Sequence, residues 1–407
     1  MNEGNSMGSL AGIRVLDMTQ YEAGTSCTQY LAWLGAEIIK IESIAGDPGR
    51  GAAGVNMPGD SQYFMNYNSG KKSVVLNLKE SRGREILLDL AKNCDVFVEN
   101  YGPGVMENLN ITADVMQKVN PKLIYGRIKG FGLSGPYADY NAYDWVAQAA
   151  AGTYSVTGDP DGPPQVVAPT IGDSGTGIQM ALGILAAYIE AQQTGQGQTI
   201  EVSMQEAVTI FMKTLDLDNW GKHPAQRYGT KRGRTGGGLY RTRGGGPNDY
   251  VMIFPVTLVQ QDALFAAIER PELLADPKFD SLEARVANEA ELREIIQEWA
   301  IQHSKQDAMK ILAEGGVPAS YVFDTLDLFS DPHLTSRDFI TEVQHPVNGT
   351  IKLMRHPLRM SGALLPARSP LLGEHTADVL QEYLDVTPEA FQDLVADGIT
   401  IAFEENF

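Results

Sequence analysis

Residues 12–42 read GIRVLDMTQYEAGTSCTQYLAWLGAEIIKIE, and this stretch decides the fold. Ile13–Asp17 is a short apolar run of the kind that forms a buried strand. Cys27–Leu34 fits a helix that stops at Gly35, and Ala36–Ile41 reads as the next strand. The alternation then continues. Ser73–Leu78 is strand-like, Gly83–Lys92 helical and Val96–Glu99 strand-like, and Leu123–Ile128 adds a strand after the Asn120-Pro121 break. Strands alternating with helices predict an open, mostly parallel α/β sheet. Ligands of such sheets bind at the loops beyond the strand C-termini.

Further along, a long helix is expected over Ile178–Gln193, with Met180, Leu182, Leu185 and Ile189 on a broad apolar face, ending at Thr194-Gly195. Ile200–Ser203 reads as a strand and Gln205–Leu215 as a helix. Between Gly221 and Asp249 glycine and arginine dominate, which marks a boundary or crossing segment. Val251–Phe254 is strand-like, Gln260–Leu312 mainly helical, and strand signals return from Val317 before a helix at Thr376–Leu384. The expected organisation is a Rossmann-like α/β large domain whose N-terminal part is 1–220. A linker and smaller α+β domain, mainly helical, cover 221–330, and 331–407 returns to the large domain.

A formal net charge of −19 argues against a broad nucleic-acid footprint, which needs a basic face. Cys27 and Cys94 alone make neither a disulfide framework nor a zinc-like cluster, so a reducing cytoplasm is the expected setting. MNEGNSMGSL lacks the basic and apolar regions of a signal peptide, and no apolar run approaches the ~20 residues of a membrane span. The reading is a soluble cytoplasmic protein that binds neither nucleic acid nor membrane.

Two glycine-rich motifs compete for attention. Gly130-Phe131-Gly132-Leu133-Ser134-Gly135 matches G-x-G-x-x-G after a predicted strand. A dinucleotide site needs a helix to open there, and Tyr137–Asn141 shows no helical stripe, so a tight turn is expected instead. Asp173 lies in Ile171-Gly172-Asp173-Ser174-Gly175-Thr176-Gly177, ahead of the long helix. Taken alone, an Asp there is an N-cap or a first-turn charge. The glycines at 172, 175 and 177 strip away side-chain cover, however, leaving a carboxylate that a bulky electrophile could reach. Neighbouring N–H groups could then stabilise an oxyanion.

The pattern G-D-S-x-x-G, its helix and TGQGQTIEVSMQEA (194–207) resemble the class III CoA-transferases, the formyl-CoA transferase and carnitine CoA-transferase group. So do residues 12–42, GKKSVVLNLK (70–79), DVFVENYGPGVMENL (95–109), NAYDWVAQAAAG (141–152) and LGEHTADVL (372–380). These blocks run in family order over nearly the whole chain. The resemblance implies transfer of CoA from an acyl-CoA thioester to a carboxylic acid through anhydride and thioester intermediates on Asp173. It implies no tightly bound cofactor, coenzyme A being part of the substrate, and a homodimer of interlocked, ring-like subunits.

The resemblance also suggests site residues. Gln20, Tyr21, Glu22 and Ala23 fall in the loop that approaches the thioester. Formyl-CoA transferases have glutamine where Glu22 stands, and a second carboxylate near Asp173 would raise the pKa of one of the pair and disfavour a dianionic acceptor. Leu76, Lys79, Asn100, Tyr101 and Gly102 match CoA-cradling segments. Ser43, Asn108 and Asn141 are neutral where formyl-CoA transferases carry cations, which leaves Arg50, Lys71, Lys72 and Arg127 as candidates for the CoA phosphates. Tyr143-Asp144 replaces the His-Asp pair of acyl-CoA racemases on this fold. A phenol of pKa ~10 is a poor proton shuttle, so racemisation is the second reading and a nicotinamide-dependent oxidoreductase the third. Gly236, Gly237 and Gly238 match a glycine-rich loop that closes over the intermediates and keeps water out.

Overall fold

The computed structural model describes residues 8–52, 60–233 and 235–403. The chain forms two compact units. One takes in the chain to Tyr154, then Val166–Trp220, then the residues from Asp338 onward; the other comprises Ser155–Gln165 and Gly221–Arg337.

Six strands make the sheet of the first unit: β1 (Arg14–Met18), β2 (Glu37–Glu42), β3 (Lys72–Val75), β4 (Val96–Glu99), β5 (Ile124–Lys129) and β6 (Thr199–Ser203). Every pairing is parallel, and the spatial order is β3-β2-β1-β4-β5-β6. The chain builds outward from β1 in one direction and resumes at β4 in the other. That reversal leaves a crevice at the C-terminal ends of β1 and β4, where doubly wound sheets bind ligands.

Both faces of the sheet are covered, which is why its central strands are continuous apolar runs. Leu16, Ile39, Val74 and Phe97 pack against Ile86 and Leu87 of a helix at Ser81–Ala91. Val15, Ile38, Val96 and Val98 point the other way, towards Leu31 of α1 (Ala23–Trp33) and towards Met180 and Ile184 of a long helix at Asp173–Thr194. In chain order the helix at Ser81–Ala91 is α2, a short helix at Asp144–Ala150 is α3, and the long one is α4. Both α1 and α4 start earlier than their apolar stripes suggest, at Ala23 rather than Cys27 and at Asp173 rather than Ile178. Their first turns consist of small residues that lie close to neighbouring backbone and carry no periodic signal. Among the described residues, no helix is long and apolar enough to cross a membrane.

The second unit holds an antiparallel sheet of β7 (Gly238–Arg241), β8 (Tyr250–Ile253) and β9 (Ala319–Tyr321). It packs with α5 (Leu258–Ala267), α6 (Glu289–Ala300) and α7 (Lys305–Glu314) around Tyr240, Ile253, Phe265, Ile296 and Leu312. In the returning segment, β10 (Ile340–His345) and β11 (Gly349–Met354) form a hairpin, followed by α8 (Thr376–Leu384) and α9 (Pro388–Ala396). Val379, Leu380 and Phe391 of these last helices share a core with Leu16 and Phe97.

The crossing of α1 and α4 is close enough to demand glycine. A Cβ on Gly177 would lie 2.0 Å from Ser26 Oγ and 2.7 Å from the Ala23 carbonyl oxygen. On Gly183 of the same helix it would meet only the flexible Ile200 side chain, at 3.3 Å. Gly177→Ala should therefore lower stability by about 1–3 kcal/mol despite its better helix propensity. Gly183→Ala should be neutral or gain up to about 1 kcal/mol. Urea melts of the two variants check both signs.

Candidate functional site

The loop leaving β1 is shaped by buried ions. Lys40, on β2, pairs with Asp47 at 2.7 Å, and their side chains are 0% and 2% exposed. Lys40 Nζ also donates to the Thr19 carbonyl oxygen at 2.7 Å, while Asp47 Oδ1 accepts the Tyr21 N–H at 3.2 Å. Asp17, at the end of β1, accepts the Thr19 N–H and pairs with Lys71 at 3.0 Å. Burial opposes the charge on Asp17, but Lys71 and Lys40 outweigh it and hold the carboxyl below its usual range. Asn100, just after β4, closes the turn by accepting the Gln20 N–H and donating to its carbonyl, both at 2.9 Å. These contacts support Tyr21 at φ 57°, a left-handed conformation that a non-glycine residue adopts only when its surroundings enforce it.

Across the crevice, Asp144 organises the start of α4. Its Oδ1 accepts the Asp173 N–H at 3.0 Å, and its Oδ2 accepts from Gln148 Nε2 at 2.7 Å. Gly172 has to be glycine here, since a Cβ would sit 2.7 Å from Asp144 Oδ1. The next two N–H groups, of Ser174 and Gly175, donate to the carbonyls of Thr170 and Ile171. The expectation that N–H groups beside Asp173 stand ready for an oxyanion is thereby corrected: an extra turn ahead of the helix consumes them.

Glu22 ties the two sides together. Its Oε1 accepts from Thr170 Oγ1 at 2.5 Å and from Ser174 Oγ at 2.7 Å, and the Tyr67 hydroxyl bonds the same carboxyl group. Glu22 is 2% exposed, and burial pushes its pKa up against the pull of those three hydroxyls. Asp173 is raised further, to about 8, by burial first, then by Glu22 and Asp144.

These groups open on a cavity of about 300 Å³, large enough for the reacting end of a ligand. Of the residues singled out from sequence, Gln20, Tyr21, Glu22, Ala23, Asn100, Tyr101, Gly102, Asn141, Tyr143 and Asp173 line it, and Asp144 stands behind. Leu76, Lys79 and Asn108 are not brought to it: Leu76 is core, and the other two lie on the surface. Gly236, Gly237 and Gly238 belong to the second unit, where the Gly236 and Gly237 carbonyls accept from Tyr240 and Arg293. A Cβ on Gly236 would reach to 2.7 Å from Ile296, which gives that glycine a packing reason of its own.

The four cations considered for CoA phosphates are all engaged. Arg50 bonds Glu42 and Asp60, Lys71 bonds Asp17, Lys72 bonds Glu37, and Arg127 bonds Glu99 and Glu107. Sequence reasoning missed Lys129, which lines the cavity but is tied to Glu99 at 2.8 Å and to the Tyr101 carbonyl. It also missed Tyr63 and Tyr67, whose rings lie 5.3 Å apart on a short helix at Gln62–Tyr67. Their i, i+4 spacing after the Ser61 N-cap was the available signal. Among the described residues, no group of three or more His, Cys, Asp or Glu side chains is arranged to hold a metal.

Residues 10–376 match the family model for CoA-transferase family III. A formyl-CoA:oxalate CoA-transferase of Streptomyces avermitilis is 38% identical over 407 residues, covering 96% of this chain and 99% of that protein. Its counterpart in Streptomyces coelicolor is 37% identical over the same length. Among solved structures, a CAIB/BAIF family protein from Brucella suis superposes with a TM-score of 0.81 at 30% identity, covering 92% of this chain and 99% of that one. The hypothetical protein Rv3272 from Mycobacterium tuberculosis superposes with a TM-score of 0.79 at 28% identity, covering 93% of this chain and 100% of that one.

The raised Asp173 carboxyl has a consequence for stability. The native chain keeps a proton that the unfolded chain releases above its ordinary pKa of 3.8, so this group's contribution falls as pH rises from there towards about 8. Asp173→Asn should therefore be more stable than the wild type at pH 8, by on the order of 1–3 kcal/mol. The gain should shrink steadily towards pH 5. Urea melts of both proteins at pH 5, 6.5 and 8 read it.

Proposed function

The chain belongs to CoA-transferase family III, and within that family we propose that Asp173 is the carboxylate a CoA thioester acylates. The observation that carries this reading is Asp173 itself. It stands at the head of α4, fixed through its N–H by Asp144, and lines the crevice where a doubly wound sheet takes its ligand.

The cycle then needs only this carboxylate and its surroundings. Ionised Asp173 attacks the thioester carbonyl, expelling CoA thiolate and forming a mixed anhydride. The thiolate returns to the aspartyl carbonyl, releasing the donor acid as its carboxylate and leaving an aspartyl thioester. The acceptor carboxylate attacks that thioester and expels the thiolate, giving a second anhydride. The thiolate then takes the acceptor acyl group and frees Asp173. Every bond made is balanced by one broken, so coenzyme A enters and leaves as part of the substrates.

Oxyanion support would come from α1. Its first turn opens beside the cavity at Ala23, and N–H groups of a first helical turn have no partner within the helix. In the reading from resemblance, Asn100, Tyr101 and Gly102 belong to a segment that cradles CoA, and they line the cavity. The relatives' names make formyl-CoA a first donor to test, whereas Glu22 speaks against oxalate as the acceptor. We further propose an interlocked homodimer. Ile178, Leu182 and Ile189 are 48%, 68% and 60% exposed along α4, an apolar stripe that a second copy would cover. A cytoplasmic setting suits both the acyl-CoA substrates and two buried free cysteines.

The test is chemical trapping. Incubation with formyl-, acetyl- and propionyl-CoA, followed by hydroxylamine or borohydride and peptide mapping, should place the adduct on Asp173. Asp173→Ala should lose transfer by at least ~10³-fold while keeping its circular dichroism. An adduct elsewhere, or turnover near wild type in that variant, refutes the assignment.

A further inference from the structure

The charges around the cavity are lopsided. Glu22 and Asp173 line it and Asp144 stands directly behind Asp173. Among the described lining residues the only cation is Lys129, already bonded to Glu99 and the Tyr101 carbonyl. The nearby buried ammonium groups are committed too, Lys40 to Asp47 and Lys71 to Asp17. Glu22 itself is held by Thr170, Ser174 and Tyr67, three neutral hydroxyls that orient its carboxyl group without cancelling a charge.

The proposed cycle makes this arrangement matter at one moment. When the acceptor arrives, Asp173 is a neutral thioester, so its repulsion of Glu22 has gone. Burial and Asp144 still push the Glu22 carboxyl up, and its three hydroxyl donors favour the ionised form against them. The acceptor's attacking carboxylate loses its charge as the new anhydride forms. A second carboxylate on the same acid would keep its charge and meet Glu22 with no free cation among the described lining residues to offset it.

We propose that Glu22 is a specificity-determining residue that restricts the acceptor to monocarboxylic acids and turns away short dicarboxylic acids. This rests on the transfer reading above and narrows its substrate class. At a separation of roughly 5–6 Å and an effective dielectric near ~20, one like-charge repulsion corresponds to a discrimination of roughly a hundred- to three-hundredfold.

The experiment uses acids that differ only in that charge. Succinate is compared with its half-amide succinamate, and malonate with malonamate, as acceptors from formyl-, acetyl- and propionyl-CoA. In the wild type the half-amide should be favoured at least tenfold in kcat/KM. Glu22→Gln should bring each pair to within about threefold, while the trapped adduct still maps to Asp173. A residue that merely braced the loop would lower both acceptors together and leave their ratio alone. Equal use of diacid and half-amide by the wild type overturns the inference without any variant, as does an unchanged ratio in Glu22→Gln. If no thioester acylates Asp173 at all, the transfer reading fails, and this inference fails with it. Acylation without acceptor preference removes the inference alone.

Discussion

The buried ion pairs beneath the crevice are the constraint on which the site depends. Asp17 ends β1, Lys40 lies on β2, Asp47 follows that strand, and Lys71 immediately precedes β3. Placing these charges out of water is costly, and their mutual attraction does not make them a source of net stability. Their effect is on geometry. An unpaired member would be left as a bare buried charge, so Thr19 to Tyr21 must follow the one path that lets Lys40 and Asp47 reach the loop backbone. That path brings Ala23 and Glu22 to the mouth of the cavity and forces the left-handed turn at Tyr21.

The opposite wall is built to the contrary principle. Around Asp173 the protein gathers like charges instead of pairing unlike ones. Burial and the proximity of Glu22 and Asp144 lift its pKa to about 8, which makes the ionised form more basic than an ordinary carboxylate. The hydrogen bonds nearby hold the backbone: Asp144 takes the Asp173 N–H, and the carbonyls of Thr170 and Ile171 take the next two. The side chain is therefore positioned without being neutralised. The same crowding lowers stability at neutral pH, a cost that a purely structural N-cap would have no reason to carry.

The sheet was legible because its residues are buried on both faces. Continuous apolar runs such as Val96–Glu99 and Ile13–Asp17 leave no other secondary structure that satisfies both burial and chain length. Less could be read at α1 and α4, whose first turns of Ala, Gly, Ser and Thr are selected by close approach and not by apolar periodicity. The short helices at Gln62–Tyr67 and Asp144–Ala150 escaped for the same reason: too few turns to show a repeat. Within the site, the loops after β1 and β4 and the motif at Asp173 were visible as motifs. Thr170 and Ser174 were not, because a hydroxyl that contacts a carboxylate across the fold has no local pattern.

The pairing of the cations was hidden for a related reason. In sequence Arg50, Lys71, Lys72 and Arg127 look like unclaimed positive charges, yet each is bonded to a carboxylate. With 51 acidic residues against 32 lysines and arginines, a partly buried cation here readily finds an acidic partner. Acid excess thus acts twice in this chain. It uses up the positive charges that would otherwise bind anions near the crevice, and it leaves Glu22 facing the cavity with hydroxyls alone. In the proposed cycle, a site formed in this way takes negative charge where the chemistry removes it, at the carboxylate that would become an anhydride.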